Sequence, residues 1–184
     1  LVGSEMCIRD RPNMYFLFMA MAVKMLRTNG EFVFITPRSW TSGTYFKSFR
    51  SYFMDSMDIQ RVHLFESRNS VFKGKEGHSD DILQETMITY GKKSKSQSRN
   101  IIIAISQNAQ DLGKVKEIQV ESGNCLPEGK EHYFVLPSDE EDLKVLNYMK
   151  KMPNTVEEAG FRFKTGQVVE FRNKEYIAWE KKES

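Results

Sequence analysis

Residue 13 opens a strongly patterned stretch. "PNMYFLFMAMAVKMLRTNG" is apolar on nearly every side of a helix. It predicts a helix over residues 13–28, with Asn13 as N-cap and Asn29-Gly30 as the stop. Apolarity all round predicts burial against something large. "FVFITP" follows at once, β-branched and aromatic without alternation. It reads as a central strand over residues 32–37, buried on both faces and flanked by two others. "SWTSGTYFKSFRSYFMDSM" predicts the next helix, over residues 44–57. Thr41 or Ser42 caps it, and Phe46, Phe49, Tyr52 and Phe53 form one apolar face. "DIQRVHLFES" reads as a strand, "RNSVFKGKEGHSDD" as a polar loop and "ILQETMITYGK" as another strand. The order α-β-α-β-loop-β predicts an α/β fold, a doubly wound sheet finished by a hairpin.

The pattern then changes. "KKSKSQSRN" reads as a loop or hairpin tip, and "IIIAISQ" with "VKEIQVES" as a small antiparallel addition. "LPSDEEDLKVLNYMKKM" predicts a helix with Ser138 as N-cap, acids in its first turn and lysines in its last. "NTVEEAGFRFKTGQVVEFRNKEY" predicts a short helix and then strand-like pieces around Gly166. A boundary is expected between Gly91 and Tyr133. The expected divisions are 1–11, 12–91, 92–132 and 133–184.

The opening "LVGSEMCIRDR" fits none of this. It has neither periodicity nor the apolar core of a signal peptide. The codons CTC GTG GGC TCG GAG ATG TGT ATA AGA GAC AGR spell it, and that string resembles a transposase-based sequencing adapter. Residues 1–11 are therefore expected to be non-native and to pack against nothing, with native sequence resuming near Pro12.

Composition narrows the classes. The chain is 40% hydrophobic and 28% charged, which is globular. No apolar run approaches the roughly 18 residues of a membrane span, so a cytoplasmic protein is expected. The net charge of +2 neither demands nor excludes nucleic acid. Two cysteines, Cys7 and Cys125, and three scattered histidines give no metal-ligand spacing.

"GEFVFITPRSWTSGTYFKSFR", followed by "HLFESR", "LQE" and the later "TGQVVEFR", resembles the adenine-specific (N6) DNA methyltransferases of restriction-modification systems. The closest group is the TaqI-like class and its fused restriction–methylation (type IIG) relatives. The resemblance runs from Pro12 to about Tyr176. It implies the C-terminal half of a Rossmann-like, class I S-adenosylmethionine-dependent methyltransferase sheet, its last strand antiparallel. The start of an α+β target-recognition region would follow. It also implies S-adenosylmethionine as cofactor, double-stranded DNA as substrate, and a restriction endonuclease fused or partnered. The family's glycine-rich motif and its Asn-Pro-Pro-Tyr motif are not in this sequence. The second would sit just upstream of Asn13. No catalytic, cofactor-binding or metal-ligating residue is therefore assigned, and the chain is expected to be an inactive fragment.

The chemistry implied is methyl transfer to an adenine amine made weakly nucleophilic by delocalisation, after the base has left the duplex. Asn13 and Tyr15 would line the pocket rim, or serve only as an N-cap and a core aromatic. Arg38, Ser39 and Trp40 occupy the carboxyl end of a strand, where open α/β sheets collect ligands. The alternative is a structural loop with a buried Trp40. Lys92, Lys93, Lys95 and Arg99 are candidate DNA-backbone contacts, or a solvated tip. Arg162, Lys164, Arg172 and Lys174 alternate with Phe161, Phe163 and Phe171, which would put charges on one strand face. That face suits a DNA groove or an ordinary half-buried sheet. Two other readings stay open: a non-catalytic DNA-binding specificity module, and a methyltransferase-like fold with another substrate.

Overall fold

The computed structural model describes residues 13–67, 84–108 and 115–162. Its centre is one five-stranded mixed sheet in the order β1-β3-β2-β4-β5. The strands are β1 (Glu31–Pro37), β2 (Met57–Phe65), β3 (Thr86–Lys93), β4 (Asn100–Ser106) and β5 (Lys116–Glu121). Helices α1 (Met14–Met25) and α2 (Lys47–Ser56) precede β1 and β2. The four-residue α3 (Ser122–Cys125) follows β5, and α4 (Glu140–Met149) follows later. By its internal contacts the chain divides into Leu1–Asn147 and Tyr148–Ser184.

β3 is antiparallel to both β1 and β2, and β2 is parallel to β4. β1, β2 and β4 therefore all point the same way. The antiparallel β3 agrees with the resemblance. The expected small antiparallel addition forms as the β4–β5 pair, and β4 joins it to the sheet by pairing parallel to β2.

β1 differs most from its sequence reading. Among the described residues it pairs with β3 alone and forms the edge of the sheet. It is buried on one face only: Phe32 is 3% exposed, but Val33 is 62% and Ile35 46%. Phe32 stacks on Phe34 at 4.6 Å and meets Phe53 of α2 at 5.3 Å, so this is the helix-covered face. Val33 and Ile35 stand opposite Tyr90 and Ile88, across the open face. A run without polar residues cannot distinguish two buried faces from one buried and one bare.

α1 repeats the pattern. Phe16, Met19, Ala20 and Val23 are buried, while Met14, Phe18, Met21 and Met25 form an exposed apolar stripe. Asn13 occupies the N-cap position but makes no side-chain cap bond. The helix ends at Met25 rather than residue 28: Leu26 is already extended, and the Lys93 ammonium binds its carbonyl at 2.6 Å. Asn29 then turns at φ 61, as the Asn-Gly stop requires.

α2 begins at Lys47, after two 3-10 turns over Arg38–Thr41 and Thr44–Phe46. Neither Thr41 nor Ser42 caps it, since the Thr41 hydroxyl donates to the Arg38 carbonyl instead. Phe46, Phe49 and Phe53 are buried as expected, with Tyr52 packed beside them. At α4 the cap is Asp139, whose carboxylate accepts the Asp142 N–H at 2.9 Å. Ser138 supplies its own N–H to Asp142 at 2.7 Å. The helix stops before Lys150 and Lys151. Residues 1–12, the loop after Ser67 and the segment around Gly166 lie outside the described residues.

Candidate functional site

Because β1, β2 and β4 run the same way, their carboxyl ends share one edge. Arg38, Glu66 and Gln107 stand there. Backbone bonds close the edge: Arg38 N–H to Glu85 at 2.8 Å, and Ser67 N–H to Gln107 at 2.9 Å.

A groove of about 880 Å³ opens at this edge. One wall is the turn after β1, with Arg38, Ser39, Thr41 and Ser42. Gln84 and Glu85 enter β3, and the strap Tyr133–Pro137 supplies a second wall. Among the predicted rim residues, Ser39 and Tyr15 come together, their hydroxyls 3.0 Å apart. α1 runs back along β1, which brings its first turn to the carboxyl end. Burial raises the Tyr15 phenol pKa, the Ser39 bond offsetting part of that, so the phenol stays protonated at neutral pH. Asn13 is exposed at the same end.

Trp40 does not line the groove. It is fully buried, with ring centres 5.3–5.7 Å from Phe53, Phe49 and Phe134. Its indole N–H donates to Thr36 Oγ1 at 3.3 Å. It supports the wall on which Phe134 sits.

The basic tip lies at the other end of the sheet. Lys92 and Lys93 pair in register with Glu31 and Met57, the starts of β1 and β2. Seven strand residues separate that end from Arg38, about 20 Å at strand spacing. Lys93 is committed to the end of α1, Lys92 lies 3.6 Å from Glu31, and Arg99 lies 3.7 Å from Glu121. Lys95 is exposed. Arg162 is exposed in the second unit, beside an exposed Phe161. Lys164, Arg172 and Lys174 lie outside the described residues.

Arg50 escaped the sequence reading. Its side chain is fully buried, yet every hydrogen bond it makes goes to a backbone carbonyl. Nη1 donates to Trp40 at 3.0 Å and Gly43 at 2.6 Å, and Nε to His132 at 3.0 Å. Nη2 donates to Glu131 at 2.9 Å. Burial lowers the guanidinium pKa, Tyr133 and Glu131 oppose the shift, and the group stays charged. The signal was present: Arg50 lies four residues after Phe46 and three before Phe53, on the apolar stripe.

Among the described residues no helix is long and apolar enough to cross a membrane, and no His, Cys, Asp and Glu group could hold a metal. Nor do these residues fit S-adenosylmethionine by themselves. Among the described residues, the turns after β1, β2 and β4 read Arg38-Ser39, Glu66-Ser67 and Gln107-Asn108, and none of these is a glycine-rich entry to a helix.

A mixed α/β sheet with its groove at the strands' carboxyl ends is the architecture of a ligand-binding α/β protein. Comparison with known proteins narrows this. The family profile of the Eco57I restriction-modification methylases matches residues 5–72, a range that takes in part of the opening segment. The chain is 31% identical over 172 residues to the type II methyltransferase M.PstI of Providencia stuartii, covering 93% of this chain and 33% of that protein. It is 32% identical to M.BsuBI of Bacillus subtilis, covering 91% of this chain and 32% of that one. Two solved structures align more loosely. The type IIG restriction endonuclease BpuSI gives a TM-score of 0.45 at 12% identity, over 64% of this chain and 15% of that one. The M protein of the type I enzyme EcoKI gives 0.41 at 13%, over 72% and 23%. The chain is thus similar to restriction-modification methylases, to the Eco57I profile over residues 5–72 and to two type II methyltransferases over most of its length. It spans about a third of the length of its curated relatives.

Proposed function

We propose that this chain is part of an adenine-N6 DNA methyltransferase of a restriction-modification system. In this reading it supplies the C-terminal half of the Rossmann-like catalytic sheet and the start of the target-recognition region. S-adenosylmethionine would supply the methyl group, bound by upstream residues. No methyl-transfer step is routed through a residue of this chain.

The Tyr15–Ser39 contact is the observation that supports the reading best. It ties the first turn of α1 to the turn that carries Arg38. An upstream catalytic motif would therefore be delivered beside the groove. Arg38 then acts on DNA phosphate, positioning without specifying sequence. Lys95 and Arg99, about 20 Å away by strand spacing, serve at most as a second backbone contact. Arg162, Lys164, Arg172 and Lys174 belong to the proposed recognition region.

The test is methyl transfer to mixed-sequence duplex DNA, by the chain alone and by the chain joined to its upstream coding sequence. The joined protein should methylate adenine and the chain alone should not. Methylation by the chain alone would end the fragment reading. Inactivity of the joined protein would favour a specificity module. DNA binding by the chain alone should be steeply salt-dependent, with Kd on the order of 10⁻⁴–10⁻⁶ M.

A further inference from the structure

We infer that Arg50 is a positioning residue, a buried clamp that holds the two walls of the groove at a fixed spacing. The inference rests on the groove being the DNA-facing site, but its geometry stands independently. One wall is the turn after β1, which Arg50 grips at the carbonyls of Trp40 and Gly43. The other is the strap, and Arg50 grips the two residues that lead into it, at the carbonyls of Glu131 and His132. The planar fork of the guanidinium suits these divergent acceptors, whereas a lysine ammonium is a single point of charge.

The strap is shaped to meet the clamp. His132 has φ 50, a left-handed conformation that non-glycine residues rarely adopt. That bend brings two successive carbonyls onto one guanidinium. Tyr133 lies over the same group, its ring centre 5.2 Å away. Immediately beyond, the Phe134 N–H reaches the Thr41 carbonyl at 2.9 Å and the Val135 N–H reaches Cys125 at 2.7 Å. Among the described residues, residues 133–137 make those two backbone hydrogen bonds and belong to no strand pair. The strap therefore keeps its place through Arg50, Phe134 and Val135, and not through a sheet ladder.

Arg50→Lys tests the clamp at two levels. In amide exchange on this chain, Phe134 and Val135 should exchange at least tenfold faster, while Val62 and Ile103 in the sheet keep their wild-type rates. Equal acceleration everywhere, or none, would overturn the clamp. Lys47→Met removes only the 2.6 Å ion pair to the Glu131 carboxylate and should leave these rates within twofold. If the lysine variant fails to fold, the wild-type Arg50 Nε–H decides. It should exchange slowly and show cross-peaks to residues 131–132, and rapid exchange with solvent would overturn the proposal. In the joined protein, Arg50→Lys should raise KM for duplex DNA at least tenfold, with kcat and the KM for S-adenosylmethionine within threefold. A fall in kcat at unchanged KM would overturn the positioning role. An inactive wild-type protein would instead sink the proposed function, leaving the exchange experiment to judge the clamp.

Discussion

Replacing Asp58 by alanine should unpin the crossing between β3 and β4. β3 lies on one side of β2 and β4 on the other, so the linking chain must pass the head of β2. Asp58 stands there, 7% exposed. Its carboxylate accepts the Ser98 N–H at 2.6 Å, the Ser98 hydroxyl at 2.7 Å and the Gln60 amide at 2.8 Å. The same crossing is held by Gln97, which donates to the carbonyls of Met54 and Met57. A hydrogen bond to a charged group contributes roughly 1.5–3 kcal/mol, and a buried N–H left unpaired costs about 1–3. Half-buried Gln60 can turn to water, so one charge-assisted bond and one stranded donor remain. The expected loss is about 3 kcal/mol, a large part of the roughly 5–15 kcal/mol that holds a domain together. Urea unfolding at pH 7 measures it. A loss below about 1 kcal/mol at unchanged m-value would refute the pinning. Acid titration checks the sign. Burial pushes the Asp58 pKa up, but the Ser98 and Gln60 bonds and the nearby Lys92 outweigh it and hold it below its ordinary value. Such a group stabilises the fold above the unfolded carboxylate pKa of about 3.9. That contribution is lost as pH falls through the lower folded value. The gap between wild type and Asp58→Ala should therefore be constant from about pH 5 to 7 and close in stronger acid. A gap that widened in acid would be inconsistent with the hydrogen-bonded carboxylate.

Other expectations follow from the same geometry. An uncovered edge strand templates pairing with another copy, so this chain should self-associate in sedimentation, and Val33→Lys with Ile35→Lys should reduce that; a monomeric wild type would argue against a reactive edge. Gly91→Ala should be strongly destabilising in thermal unfolding, because an added Cβ would lie 2.5 Å from the Asp58 carbonyl oxygen; a change under about 0.5 kcal/mol, the range of a neutral surface substitution, would contradict that approach. His132→Val should cost about 1–2 kcal/mol from its left-handed backbone, measured against His132→Gly, and equal stability of the two would remove the strain.

The sequence showed elements more readily than neighbours. The stripe of Phe46, Phe49 and Phe53 located α2, and Asn29-Gly30 located the turn into β1. Composition could not show what covers a surface, so β1 was read as central although nothing described here pairs with its outer edge. The same limit hid the bare stripe of α1 from Met14 to Met25. "IIIAISQ" gave a strand, but pairing beside β2 is a long-range contact that no local pattern encodes. At the groove, Arg38 and Ser39 were found because they follow a buried strand. Tyr133 and Phe134 arrive from about ninety residues further along, and only the fold brings them there. Arg50 was passed over because a lone arginine in a helix is usually solvated.

The irregular step in β2 also changes how that strand tolerates altered length. Ile59 faces Gly91 and Arg61 faces Tyr90, so two residues of β2 are set against one of β3. This bulge puts Ile59 and Val62, three residues apart, on the same buried side, where strict alternation would oppose them. It acts as a parity switch. Residues ahead of it count faces one way, and those behind count the other. Deleting Gln60 would therefore cost the strand its bulge but not its facing: Ile59 and Val62 would stand two apart and keep the same side by plain alternation. Deleting a residue outside the bulge, such as His63, would instead turn over every side chain on one side of the cut.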